Sequence, residues 1–180
     1  MNAAVVLMTN RFSPVVEILQ EARMLSLRGI IYEPLPDTTD RKMTEFVKRN
    51  DIPLFRDLAQ FIRAGHEIPA FLAVYSWHKI LKKEEFGLPE IAALNLHPSR
   101  LPLYKGRNPW QAQFEDHVEC SGFTVHKITP DIDGGEIISQ KTFVVDYSLP
   151  FETIIENSLR DVGGPLLRDT LIELWSKRTH

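Results

Sequence analysis

Short apolar runs alternate with amphipathic stretches along the first hundred residues, and this rhythm constrains the fold more than any other feature. Ala3 to Met8 is an apolar, β-branched run suited to a strand buried on both faces. Ser13-Pro14 can open a helix with proline at its first position. Val15, Val16, Ile18, Leu19 and Leu25 then recur at roughly helical spacing, and Gly29 ends the segment. Ile30-Ile31-Tyr32 reads as a second strand. Thr39-Asp40 can cap a helix carrying Met43, Phe46 and Val47. Ile52 to Phe55 is a short strand or turn, and Asp57 to Ala64 is a helix ended by Gly65. Ala70 to Tyr75 and Ala92 to Asn95 are the next strands. The order predicts an α/β protein with an open, twisted, mostly parallel sheet flanked by helices. A helical segment follows Asn108, then strands over Gly122 to Ile128 and Glu136 to Val145. The remainder reads as helix, with Ile154, Ile155, Leu159 and Val162 on one face. Gly163-Gly164-Pro165 is expected to break it before Leu166, Leu167, Leu171, Leu174 and Trp175 continue the stripe.

A chain of 180 residues with this patterning predicts one domain over 1–180 with a sizeable core. The net charge of −3 gives no general reason to expect nucleic acid or an anionic membrane as partner. The single Cys120 excludes an internal disulfide and argues against a thiolate zinc site. The six histidines show no pair four apart with carboxylate support, so no metal is expected. No apolar run approaches the roughly 20 residues that span a bilayer. The first residues lack a basic segment before their apolar run and read as a strand rather than a signal peptide. The expectation is a cytoplasmic protein.

Candidate chemistry gathers in Asn95-Leu-His97-Pro-Ser-Arg-Leu-Pro-Leu-Tyr104-Lys-Gly106 and in Asp131-Ile-Asp133-Gly-Gly135. Asn95 and His97 follow a predicted buried strand, and ligands of open α/β sheets bind beyond the carboxyl ends of strands. Two residues apart in extended chain, their side chains project to one side. An amide N–H and an imidazole can stabilise the oxygen that gains charge when an amine attacks a formyl carbon. Each such donor is worth on the order of 3 kcal/mol. A histidine also suits the proton exchange that this attack requires. Asp133 is the candidate carboxylate that fixes the ring and raises its pKa. Taken singly, each of these residues has an ordinary structural reading: a turn, a hydrogen-bonded core histidine, a loop cap.

Together, NLHPSRLPLYKG and GFTVHKITPDIDGGEII resemble the folate-dependent formyltransferase family, most strongly from Phe71 to Gln140. That family includes glycinamide ribonucleotide transformylase, methionyl-tRNA formyltransferase and amino-sugar formyltransferases. The resemblance implies a Rossmann-like formyltransferase fold and 10-formyltetrahydrofolate as formyl donor. It implies catalytic roles for Asn95, His97 and Asp133. It implies folate contacts at the strand-to-helix turn with Tyr75, Ser76, Trp77, Ile80 and Leu81, and at the loop with Thr129, Asp131 and Ile132. Thr124 and His126 would sit behind the catalytic histidine. Arg100 replaces a usual leucine.

The same resemblance frames the acceptor, a primary amine, with Arg11, Arg100, Tyr104 and Lys105 as candidate contacts. Glycinamide ribonucleotide transformylases carry a Gly- and Ser-rich phosphate loop after the first strand. Here that loop reads Met8-Thr-Asn-Arg-Phe-Ser-Pro14, without glycine. No basic tRNA-binding region is seen, so no nucleic acid partner is expected. The regulatory segment usual in formyltetrahydrofolate hydrolases is not seen either. Lys105 to Trp110 resembles a loop of sugar formyltransferases, which favours a nucleotide-linked amino-sugar. Glycinamide ribonucleotide, hydrolysis without an acceptor, or folate binding without turnover stay as alternatives. The last apolar stripe either covers the sheet or forms a homodimer surface.

Overall fold

A computed structural model describes residues 1–34 and 41–178, so the cap expected at Thr39-Asp40 lies outside the described residues. In chain order the elements are β1 (Ala3–Thr9), α1 (Pro14–Glu21), β2 (Leu25–Tyr32), α2 (Arg41–Asn50), β3 (Leu54–Phe55) and α3 (Leu58–Arg63). They continue with β4 (Phe71–Val74), α4 (Lys83–Phe86), β5 (Ala92–His97), α5 (Pro109–Glu115), β6 (Cys120–Lys127) and β7 (Ile137–Val144). The chain closes with α6 (Phe151–Ser158), a π turn (Leu159–Gly163) and α7 (Gly164–Lys177).

The strands form one sheet in the order β3-β2-β1-β4-β5-β6-β7. The pairings from β3 through β5 are parallel, whereas β6 pairs antiparallel with both β5 and β7. The expected mostly parallel α/β sheet is what forms. The central strands β1 and β4 are apolar on both faces because both are covered. Val5 and Leu7 face the side of α1 and α7, while Val6 and Met8 face the side of α3. Each such fully buried side chain contributes about 1.5–3 kcal/mol.

Two local readings are corrected. α1 stops at Glu21 because Ala22 is already extended at ψ 111°. Leu25 and Gly29 both belong to β2. Leu25 is buried as a strand residue, and Gly29 does not end a helix but makes room for a ring. A Cβ there would come within 2.7 Å of Phe55. Nor does Gly163-Gly164-Pro165 break the last helix. A π turn carries the chain through it, with the Gly164 N–H donating to the Leu159 carbonyl. Gly163 then packs so tightly on Phe123 that a Cβ would lie 2.9 Å from the ring.

Register sets up the site. Met8, Val74, Asn95 and His126 align across β1, β4, β5 and β6. One row further, His97, Thr124 and Gln140 align across β5, β6 and β7. These rows lie at the carboxyl ends of the parallel strands, where a ligand crevice is expected.

Candidate active site

β5 extends two residues past the expected end at Asn95, so His97 is a strand residue along with Asn95. This locks their directions: alternate residues of one strand share a face. The loop after β6 brings Asp133 back to them. Its backbone is left-handed at φ 47°, a conformation uncommon outside glycine that clusters at functional sites. The Asp133 carboxylate divides its oxygens between two groups of neighbours. Oδ1 lies 3.4 Å from His126 Nε2 and 3.5 Å from Asn95 Nδ2. Oδ2 lies 3.4 Å from His97 Nδ1 and accepts the Gly106 N–H at 2.8 Å. Gly106, at φ 87°, lets the backbone present that donor.

Hydrogen-bond accounting assigns the protons. His126 Nδ1 is 2.9 Å from the Lys127 carbonyl, which can only accept, so Nδ1 carries a proton. In the neutral ring Nε2 is then an acceptor, and it takes an N–H of Asn95 at 3.1 Å. This orients the Asn95 amide with its nitrogen toward His126 and Asp133. His97 Nε2 lies 2.8 Å from the Tyr104 carbonyl and must donate there. The nitrogen of His97 left to gain or lose a proton is Nδ1, facing Asp133.

Burial dominates the charge state of His97. The ring is 4% exposed, and burial pushes its pKa below the ordinary imidazole value. Asp133 and the Tyr104 carbonyl act upward without prevailing, and His126 adds to the depression. The neighbouring carboxylate raises this pKa as expected, but desolvation outweighs it and the net shift is downward. For Asp133, burial pushes upward, but the nearby His126 and His97 rings and the Gly106 N–H together hold the carboxyl below its usual range. At neutral pH the pair is a neutral imidazole beside a carboxylate.

The structure brings Asn95, His97 and Asp133 together and separates the other candidates. Tyr75 is buried on the α1 side of the sheet near Arg11 and Trp110. Burial pushes its hydroxyl up to about 12, so it stays protonated. Trp77 and Leu81 sit on the opposite side and pack partly buried against the core with Phe86, Leu88 and Ile128. Ser76 ties the turn to the first loop, its hydroxyl donating to Asn10 Oδ1 at 2.8 Å. Ile80 and Ile132 are 71% and 61% exposed. Thr129 donates to the Asp131 carbonyl at 3.2 Å, which shapes the Asp133 loop. Arg100 is exposed, its stem lying over Gly122. The Tyr104 hydroxyl donates to Asp116 at 2.8 Å, and Lys105 is exposed. Arg11 lines a separate cleft of about 660 Å³ between α1, α2 and α6.

The apolar wall of Trp77, Leu81 and Ile128 has the chemistry that a flat pterin ring needs on its faces. The residues present fit a folate. Among the described residues no group of three or more His, Cys, Asp or Glu side chains is arranged to hold a metal ion. None of the described helices is long and apolar enough to cross a membrane. The sequence reading had placed His126 behind the catalytic histidine. It missed that His126 touches Asn95 and Asp133 directly, and it missed the Gly106 N–H and the Tyr104 carbonyl altogether. Alternation along β6 puts His126 on the same face as Thr124, but its partners depend on the β5–β6 register.

A Rossmann-like sheet with an Asn–His–Asp cluster at its carboxyl edge defines the class, and sequence comparison defines the family. The formyl transferase family model matches residues 56–171, well over half of the chain, and the chain belongs to that family. A methionyl-tRNA formyltransferase of Thermotoga maritima is 31% identical over 150 residues, covering 83% of this chain and 45% of that protein. One from Borrelia duttonii is 36% identical over 77 residues, covering 43% of this chain and 25% of that protein. The chain thus spans less than half the length of these curated relatives. Among solved structures, phosphoribosylglycinamide formyltransferase from Bacillus halodurans superposes with a TM-score of 0.75 at 21% identity, covering 97% of this chain and 96% of that one. A formyltetrahydrofolate deformylase from Pseudomonas syringae gives 0.76 at 24% identity, covering 95% of this chain and 60% of that one. These likenesses establish the fold.

Proposed function

We propose that this chain is a catalytic domain that transfers a formyl group from 10-formyltetrahydrofolate to the primary amine of a small acceptor. The observation that carries the reading is the meeting of Asn95, His97 and Asp133 within 3.5 Å contacts at the carboxyl edge of the sheet. The folate supplies the activated formyl carbon. The second N–H of Asn95, only loosely held by Asp133, is the donor available to the formyl oxygen. His97 Nδ1 accepts the proton that the attacking amine sheds and returns it to the folate nitrogen as the bond to the formyl carbon breaks, while Asp133 stabilises the charged ring in between. The neutral state of His97 in the free protein suits this, because a base must start unprotonated. Trp77, Leu81 and the Thr129–Ile132 loop form the folate side.

We place the acceptor toward the cleft that holds Arg11, Ser13, Arg49, Glu156 and Arg160. The Met8–Val74–Asn95 row puts the end of β1 two strand spacings, about 10 Å, from Asn95. A cleft with charges of both signs suits a polar, charged amine such as a nucleotide-linked amino-sugar. The Lys105–Trp110 loop supports the same acceptor. The named relatives support a second reading, methionyl-tRNA, on identity of 31% across most of this chain. Release of tetrahydrofolate should be followed with nucleotide-linked amino-sugars, glycinamide ribonucleotide, methionyl-tRNA and no acceptor. Release that depends on one amine supports transfer and selects the acceptor. Equal release without acceptor identifies a hydrolase, and no release with any of them contradicts the proposal.

A further inference from the structure

His97 is held by a carbonyl on a loop, so what holds that loop matters. Between Pro98 and Tyr104 one backbone pair, Leu103 N–H to the Arg100 carbonyl at 3.0 Å, closes a turn. Side chains supply further anchors. Gln113 Nε2 donates to the Pro98 carbonyl at 2.8 Å, and the Ser99 hydroxyl donates to the Leu103 carbonyl at 2.6 Å. Thr124, fully buried on β6, donates its hydroxyl proton to the Ser99 carbonyl at 2.7 Å and accepts the Leu101 N–H at 3.2 Å. Its remaining lone pair takes an N–H from Gln140 at 2.8 Å. The same Gln140 nitrogen donates to the Leu101 carbonyl at 3.0 Å. The Leu101 carbonyl can only accept, and the Thr124 proton is already committed, so both partners demand the nitrogen end of the Gln140 amide. The Thr124 hydroxyl thus uses its one donor and both lone pairs, and the Gln140 amide nitrogen uses both of its N–H groups.

Gln140 is exposed and stands on β7, the edge strand of the sheet. Such a position ordinarily tolerates change. Here the row His97–Thr124–Gln140 places it two strands from the histidine, with the loop folding back over that row. We propose that Gln140 is a positioning residue for His97: from the sheet edge it anchors the loop whose Tyr104 carbonyl receives the Nε2–H of the ring. The proposal rests on the assignment of His97 to formyl transfer for its kinetic consequence, but not for its structural one.

The test uses Gln140→Met, which keeps length and removes both N–H groups, with Gln140→Ala as a second variant. The titration of the His97 ring is followed by NMR in the free protein. Burial, the largest influence, lowers the His97 pKa, and the Tyr104 carbonyl opposes it. Loosening that carbonyl therefore moves the titration to still lower pH. Turnover is expected to fall about tenfold to a hundredfold, as for a misplacement of about 1 Å, with the KM for folate within about twofold. A His97 titration identical to that of the unsubstituted protein in both variants overturns the proposal, whatever the rates do. A moved titration in a protein that transfers formyl to no acceptor upholds the positioning role and removes the functional reading instead.

Discussion

At the scale of residues, the site is decided by which atoms carry protons. The Lys127 carbonyl fixes the proton of His126 on Nδ1, and that in turn fixes the Asn95 amide. We predict that nitrogen-15 NMR finds His126 protonated on Nδ1 near neutral pH; protonation on Nε2 alone would undo the assignment. Replacing His126 by alanine frees the amide and should lower kcat about a hundredfold, in the range of a lost preorganised donor, while folate KM changes little. A drop confined to KM would place His126 at the folate instead. The sequence made Asn95, His97 and Asp133 legible because their residue types and local patterns are distinctive. His126, Gly106 and the Tyr104 carbonyl stayed hidden. Their roles come from strand register and from backbone atoms, which no side-chain pattern displays.

At the scale of elements, the loop from Ile128 to Glu136 delivers Asp133. Gly135 passes so close to Lys127 that a Cβ would collide with its carbonyl oxygen, and the Lys127 N–H pairs with the Glu136 carbonyl at 2.9 Å. Gly135→Ala should therefore cost about 1–3 kcal/mol, as overpacking does. It should also reduce turnover by displacing Asp133. Urea unfolding checks the first, and an unchanged midpoint would show that the loop yields freely. The alternating apolar runs made the mostly parallel α/β sheet legible, though not its strand order. They misplaced Leu25 because a buried strand residue can also fit a helical spacing. They misread Gly163-Gly164 because close packing on Phe123 and Ile18, not a chain break, requires small residues there.

At the scale of the molecule, the buried pair couples folding to pH. The unfolded His97 takes a proton below about pH 6.5, whereas the folded ring, its pKa depressed, resists it. The unfolded state then binds more protons, so stability falls as pH drops below that value. Asp133 acts in the same direction lower down: its stabilisation is present above the ordinary carboxylate range and is lost as pH falls through its depressed folded value. The melting temperature should decline between pH 7 and 5, and less steeply in His97→Gln. Equal slopes would mean that His97 titrates alike in both states. The whole account turns on Asp133 as the partner of a catalytic histidine. The most direct measurement is formyl transfer by Asp133→Asn, alongside folate affinity in the same preparation. A fall in kcat of about 10² to 10⁴ with folate binding retained is the predicted result. Near-normal turnover would contradict it.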